Sequence, residues 1–157
     1  TAREGRITYR EGQPVLTIES RGSGLEALVF IRSTRSGTAI RPGMSARVAP
    51  ANARREEFGT LIGEVASISD FPVSLEAIRA MINNDELARS FMNEGPPYQV
   101  IIRLERDPET SSGYRWTSSR GGGVTLGSGS TLQADVTVDF RRPIAMVIPA
   151  LRELLKL

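Results

Sequence analysis

The chain has 157 residues, 39% of them hydrophobic, and sets 20 basic against 18 acidic side chains for a net charge of +2. That length can bury roughly two-thirds of its unfolded surface, enough for one compact domain or two small lobes. It contains no cysteine and no histidine, which excludes thiolate nucleophiles, imidazole general bases and zinc sites of the Cys/His type.

The isoelectric point near 9.5 is a poor sign of nucleic-acid binding. Without histidine almost nothing titrates between the carboxylates and the α-amino group, so the charge curve is flat and a small excess of arginine moves the crossing far to the basic side. The basic residues lie singly among acids, as in Arg54-Arg55-Glu56-Glu57, the pattern of a solvated mixed surface. Lys156 is the single lysine, which leaves no modifiable lysine at a hairpin tip and so removes a lipoyl or biotinyl carrier role. The close carboxylates Glu56/Glu57, Asp85/Glu86 and Asp107/Glu109 have no EF-hand spacing, and no metal or other cofactor is expected. The longest apolar run, Ile144 to Leu151, is far short of the roughly 20 residues of a spanning helix. Thr1 is not an initiator methionine, so the chain reads as a soluble piece of a longer protein.

In chain order, Gly5 to Ser20 reads as strand, turn and strand, bending at Glu11-Gly12. The Gly22-Ser23-Gly24 break is expected to separate two lobes. Leu25 to Arg32 is rich in β-formers and poor in charge, which predicts a strand buried on both faces. Arg41-Pro42-Gly43-Met44 predicts a type II turn, because proline presets φ at the first central position and glycine accepts the positive φ of the second. Ala46 and Val48 then share one side of the next strand. Gly59 to Ser69 is a long strand with Leu61, Val65 and Ser67 on one side, in which Gly63 suggests a bulge or sharp coiling.

The period then changes from two to helical. Ser74 can cap a helix placing Leu75, Ile78 and Ile82 on one face, and Asn84 or Asp85 can cap a second one carrying Leu87 and Phe91. This predicts a helical insert over 74–92 between strands, closed by Gly95-Pro96-Pro97. Tyr98 to Glu105 returns to alternation, with Val100, Ile102 and Leu104 opposite Ile101. Pro108 to Gly123 reads as a long exposed hairpin or loop around Tyr114 and Trp116. Leu132, Ala134, Val136, Val138 and Phe140 form an unbroken period-two series with one core face and one wet face. After Pro143 an amphipathic turn carries Leu151, Leu154 and Leu155.

Two stretches imitate chemistry. Gly121 to Thr131 is glycine-rich, but it lacks the Gly-Lys-Ser/Thr ending of a phosphate loop and leads into a strand, so a mobile hairpin is the better reading. Tyr114-Arg115-Trp116 could stack bases or sugars, but no second aromatic platform accompanies it, so a cross-strand structural role is the better reading. The Gly43 pattern, an apolar residue, a glycine-centred turn and an alternating strand, recurs at Leu126, Gly129, Leu132, Ala134 and Val136, as if two similar turns enter two strands. Pro42, Gly43 and Gly129 are therefore read as structural turn residues.

The ordered series RPGMSARV, REEFGTLIGEV, a helical insert, PPYQVIIRLERD, GYRWTSS, a glycine-turn strand and RRPIAMVIP resembles the C-terminal part of HlyD-type periplasmic adaptor (membrane fusion) proteins. The likeness runs from about Leu25 to Leu157 and is greatest for the subgroup encoded with peptide-bacteriocin exporters of the nitrile-hydratase-leader type. It implies a mostly-β protein: an antiparallel β-barrel lobe with a short helical insert, a lipoyl-like remnant in residues 1–24, a barrel and membrane-proximal β region in 25–142, and a C-terminal segment in 143–157. It implies no active site. The full-length parent would be anchored to the inner membrane on its periplasmic side. Its partners would be an ABC exporter, other adaptor copies in a ring and an outer-membrane channel, with no nucleic acid.

Within that frame the insert and the C-terminal turn are surplus to barrel closure and are candidates for partner contact. The insert offers Ile78, Arg79, Ile82, Leu87, Arg89 and Phe91. The C-terminal turn offers Leu151, Arg152, Leu154 and Leu155. The competing expectation is that both only plug the barrel, since apolar helix faces usually seek their own core. The main functional rival is an OB-like barrel that binds single-stranded nucleic acid or oligosaccharide through Tyr114, Trp116 and nearby arginines. An enzyme is a third class, for which no spacing of Ser, Asp, Glu, Tyr or Arg assembles a site.

Overall fold

The structure, a computed structural model, describes residues 5–10, 16–21, 24–32, 39–82 and 84–140. Seven strands form one antiparallel sheet: β1 (Gly5–Arg10), β2 (Leu16–Arg21), β3 (Gly24–Ile31), β4 (Ser45–Pro50), β5 (Leu61–Ile68), β6 (Tyr98–Leu104) and β7 (Leu132–Phe140). Their order across the sheet is β1-β7-β4-β5-β6-β3-β2. The sheet curls as a half-barrel, and β2 at one edge comes into contact with β7 near the other. The chain is thus mostly β, with α-helices among the described residues confined to a single turn α1 (Arg55–Phe58) and the insert α2 (Leu75–Ile82) and α3 (Asp85–Met92).

The period-two expectations place the core. Ala27, Val29 and Ile31 of β3, Ala46 and Val48 of β4, Leu61 and Val65 of β5, Val100, Ile102 and Leu104 of β6, and Leu132, Val136 and Val138 of β7 all point inward and are buried together. β3 is buried on its second face as well, as its uninterrupted apolar run predicts, because Leu28 and Phe30 are covered by the helices. Full burial of one such aliphatic side chain is worth about 1.5–3 kcal/mol, so these rows dominate the stability of the sheet.

Both glycine turns form as the sequence implies. Met44 N–H donates to Arg41 O at 3.3 Å and Gly43 has φ +87°. Ser130 N–H donates to Gly127 O at 3.3 Å and Gly129 has φ +86°. The first turn is also docked on β5, where Gly43 N–H donates to Val65 O and Val65 N–H to Met44 O, each at 2.8 Å. Pro42 and Gly43 therefore set the register of β4 against β5.

Several expectations need correction. β1 and β2 are strands, but they do not pair with each other: β1 joins β7 and β2 joins β3. Arg21 stands opposite Gly24, so β2 and β3 across the Gly22-Ser23-Gly24 break are neighbours within one sheet. The bulge in β5 falls between Val65 and Ser67, not at Gly63. The extra residue reverses the strand's phase, turning Ser67 outward and returning Ile68 to the core. Gly63 answers a different need, since a Cβ there would stand 2.7 Å from Arg103 O on β6; only glycine lets the two backbones approach so closely.

The segment 108–123 is a largely irregular connection with many exposed residues, but its aromatic side chains are not exposed. Tyr114 and Trp116 are buried in the main core, and Gly121 and Gly122 are buried in a 3₁₀ turn beside them. The preceding chain is zipped to β5, with Ile62 N–H donating to Arg115 O at 2.9 Å and Thr117 N–H to Thr60 O at 2.8 Å. Trp116 Nε1 donates to Ser112 Oγ at 3.0 Å, and Leu25 N–H donates to the Tyr114 hydroxyl at 2.7 Å. A Cβ at Gly121 would collide with the Trp116 indole and with Phe58 O. Gly121 thus packs under the indole and Gly122 against Thr110, while Gly123 is exposed, so the first two glycines of the stretch serve close packing.

The outer face of β7 is not uniformly wet. Asp135 is 4% exposed, with its carboxylate 2.6 Å from Arg55 of α1. It lies in register with Arg47 of β4 and Arg10 of β1.

Candidate functional site

The helical insert holds most of the candidate contact residues. Ser74 Oγ accepts from Ala77 N–H at 3.3 Å to start α2, and Asn84 Oδ1 accepts from Leu87 N–H at 3.0 Å to start α3. Each cap satisfies an amide that the first turn leaves without a partner. Of the two residues able to cap α3, Asn84 does so. The Glu76 carboxylate is held below its ordinary range, chiefly by a hydrogen bond from its own backbone N–H, then by the Ser74 hydroxyl and the charge of Arg79.

The two helices pack on the outward side of the sheet. Ile78 and Ala88 are fully buried against Leu28 and Phe30 of β3, and Leu75, Met81, Ile82, Phe91 and Met92 surround them with Ile101 of β6. The Phe30 and Phe91 rings lie 4.8 Å apart between centroids at a 47° tilt, a favourable geometry for an aromatic pair. The insert therefore covers a sheet face and does not plug a barrel end.

This sorts the candidate contact residues. Ile78 is inaccessible, and Ile82 and Phe91 are half-buried in the same small core. Leu87 is half-buried, Arg79 is paired with Asp85 at 3.2 Å, and Arg89 is exposed. Leu151, Arg152, Leu154 and Leu155 lie outside the described residues. The outward surface of the helices is chiefly polar, with Glu76, Asp85, Glu86 and Arg89 exposed.

The single large hydrophobic side chain left open to water among the described residues is Phe71, at 79% exposure. It lies in the connection from β5 to α2. The sequence holds one signal for it: Asp70-Phe71-Pro72 stands where the period-two pattern has ended and the helical pattern has not begun, so neither face claims the ring.

The aromatic alternative fares differently. Tyr114 and Trp116 are each 8% exposed, so neither ring offers an open face for a base or sugar. Arg115 beside them is exposed and donates to Glu105 at 2.6 Å, and that carboxylate holds the guanidinium above its usual basicity. Among the described residues no group of three or more carboxylates could hold a metal ion, and no helix is long and apolar enough to cross a membrane.

Comparison of the chain with family models, with curated proteins and with solved structures finds no match in any of the three. What the geometry itself defines is a curled antiparallel sheet with a helical cover on one outer face and an aromatic cap over its core.

Proposed function

We propose that this chain is the β-rich, C-terminal part of a non-enzymatic periplasmic adaptor of a bacterial ABC-type peptide exporter, linking the inner-membrane transporter to the export conduit. The observation that supports it is the joint placement of the two motif pieces carrying the resemblance. RPGMSARV supplies the Arg41–Met44 turn and β4, REEFGTLIGEV supplies α1 and the first part of β5, and the two strands pair with Val48 opposite Leu61. The two pieces thus form one structural unit, a pair of adjacent strands in which the turn that enters β4 is docked on β5. In this reading the work is scaffolding and asks for no acid, base or nucleophile.

The test is genetic. Disrupting the parent gene in its own host should remove one processed peptide from the medium and retain it in the cells, with export restored by the intact gene. An unchanged set of secreted peptides would overturn the proposal. Binding of this chain to single-stranded oligonucleotide, weakening steeply as salt rises, would instead favour the barrel-binding alternative.

A further inference from the structure

The insert leaves and re-enters the sheet at one point. Val73 N–H donates to Pro97 O at 2.8 Å, and just below this neck Ser69 N–H donates to Gln99 O at 2.8 Å. Between the two sides of the neck the hydrogen bonds of Ser74, Asn84 and Ser90 all stay within the insert. The Arg79–Asp85 ion pair does so too. Contact with the sheet is made chiefly by apolar side chains, Ile78, Ala88 and Phe91 against Leu28, Phe30 and Ile101, and by one exposed ion pair at 2.5 Å between Glu94, just after α3, and Arg32, just after β3. These residues form a core of their own, and none of them belongs to the main core beneath the sheet. Both sides of the neck carry prolines of fixed φ, Pro72 on one and Pro96 and Pro97 on the other, and Gly95 supplies a turn at φ +100° ahead of the second pair.

We propose that α2 and α3 form a detachable cover, a cooperative unit that undocks from the sheet as one body while the half-barrel stays folded, baring the strip of Leu28, Phe30 and Ile101. The physical reason is the division of contacts. Opening costs the small apolar core, the Phe30–Phe91 ring pair and the solvent-exposed Arg32–Glu94 ion pair, a minor contribution at such exposure, but it breaks no strand ladder, because the neck bonds can persist with the helices displaced. Elements whose loss leaves the main core intact open at lower free energy than the global transition. The inference stands on these contacts alone and does not depend on the adaptor reading.

Amide hydrogen exchange on the 157-residue chain tests it. The amides of α2 and α3 should exchange with a common protection at least about tenfold below that of β4, β5 and β7, corresponding to an opening free energy lower by about 1.4 kcal/mol. Phe91→Ala should lower protection across both helices about a further tenfold and leave the central strands within about twofold. Asn84→Ala, which removes a cap without touching the sheet, should do the same to a smaller degree. If helices and central strands exchange at one common level, or if either variant lowers all of them by the same factor, the insert is not a separate unit. Loss of the whole fold in Phe91→Ala would overturn the proposal equally, since it would make the cover's core a requirement of the sheet.

Discussion

Ala46 lies directly opposite Val136 in the antiparallel pair of β4 and β7, and two residues along each strand the order reverses, with Val48 opposite Ala134. All four side chains point into the main core. The same Ala-x-Val spacing in two strands that run in opposite directions thus sets a small residue against a branched one at both positions. The glycine turns that start these strands, at Gly43 and Gly129, share their positive φ. The likeness between the two sequence stretches therefore has a packing counterpart.

Volume at that pair should behave as a shared quantity. Val136→Ala is expected to cost about 1–3 kcal/mol through lost burial and a residual cavity, and Ala46→Val about 1–3 kcal/mol through overpacking. Combining them restores the volume on the other strand, so the double variant should lose clearly less than the sum in urea denaturation. Strict additivity would show that the two side chains do not share space.

The glycines should divide by mechanism. Gly43→Val is expected to cost about 1–2 kcal/mol from left-handed backbone strain alone, because nothing lies within 4 Å of a Cβ at that position. A denaturation midpoint unchanged within error would contradict the turn geometry. Gly63→Ala has an ordinary φ but meets Arg103 O, so it should cost about 1–3 kcal/mol by forcing β5 and β6 apart. It should also deprotect the amides of those two strands specifically.

Trp116, the single tryptophan, reports on the aromatic cap. Its emission in the folded chain should be blue-shifted and weakly quenched by acrylamide, and oligonucleotides should leave it unchanged. Gly121→Ala pushes a methyl group into the indole and should increase quenching while lowering stability by about 1–3 kcal/mol. Strong quenching of the parent chain would mean that the ring is open to solvent and available for stacking.

Acid should weaken the start of α2. The Glu76 carboxyl is held below its ordinary value of 4.5 in the folded chain, so the unfolded state binds its proton more readily. Its contribution is therefore fully present above that ordinary value and is lost as pH falls through the lowered one. Amide protection at Ala77 and Ile78 should decline over that acid window in the parent chain. In Glu76→Gln it should start lower and vary less with pH; identical pH profiles for the two proteins would remove Glu76 from the account.

Local patterns in the sequence were sufficient for the parts of this protein that depend on neighbours a few residues away. Alternation marked the inward rows of β4, β6 and β7, the change to helical period marked the insert with its caps, and Pro-Gly chemistry marked the Arg41–Met44 turn. Each follows from backbone sterics and side-chain direction within one element. Only the tertiary structure decided which strands meet: β1 with β7 at one edge, β2 with β3 at the other, though β1 and β2 are consecutive in the chain. It alone placed the β5 bulge after Val65, buried Tyr114 and Trp116 in a segment as polar as any loop, and brought Arg55 to Asp135. The physical reason is common to all four. Pairing and burial are settled by which distant surfaces close the most apolar area without stranding backbone hydrogen bonds, and that sum runs over contacts no short stretch of sequence contains.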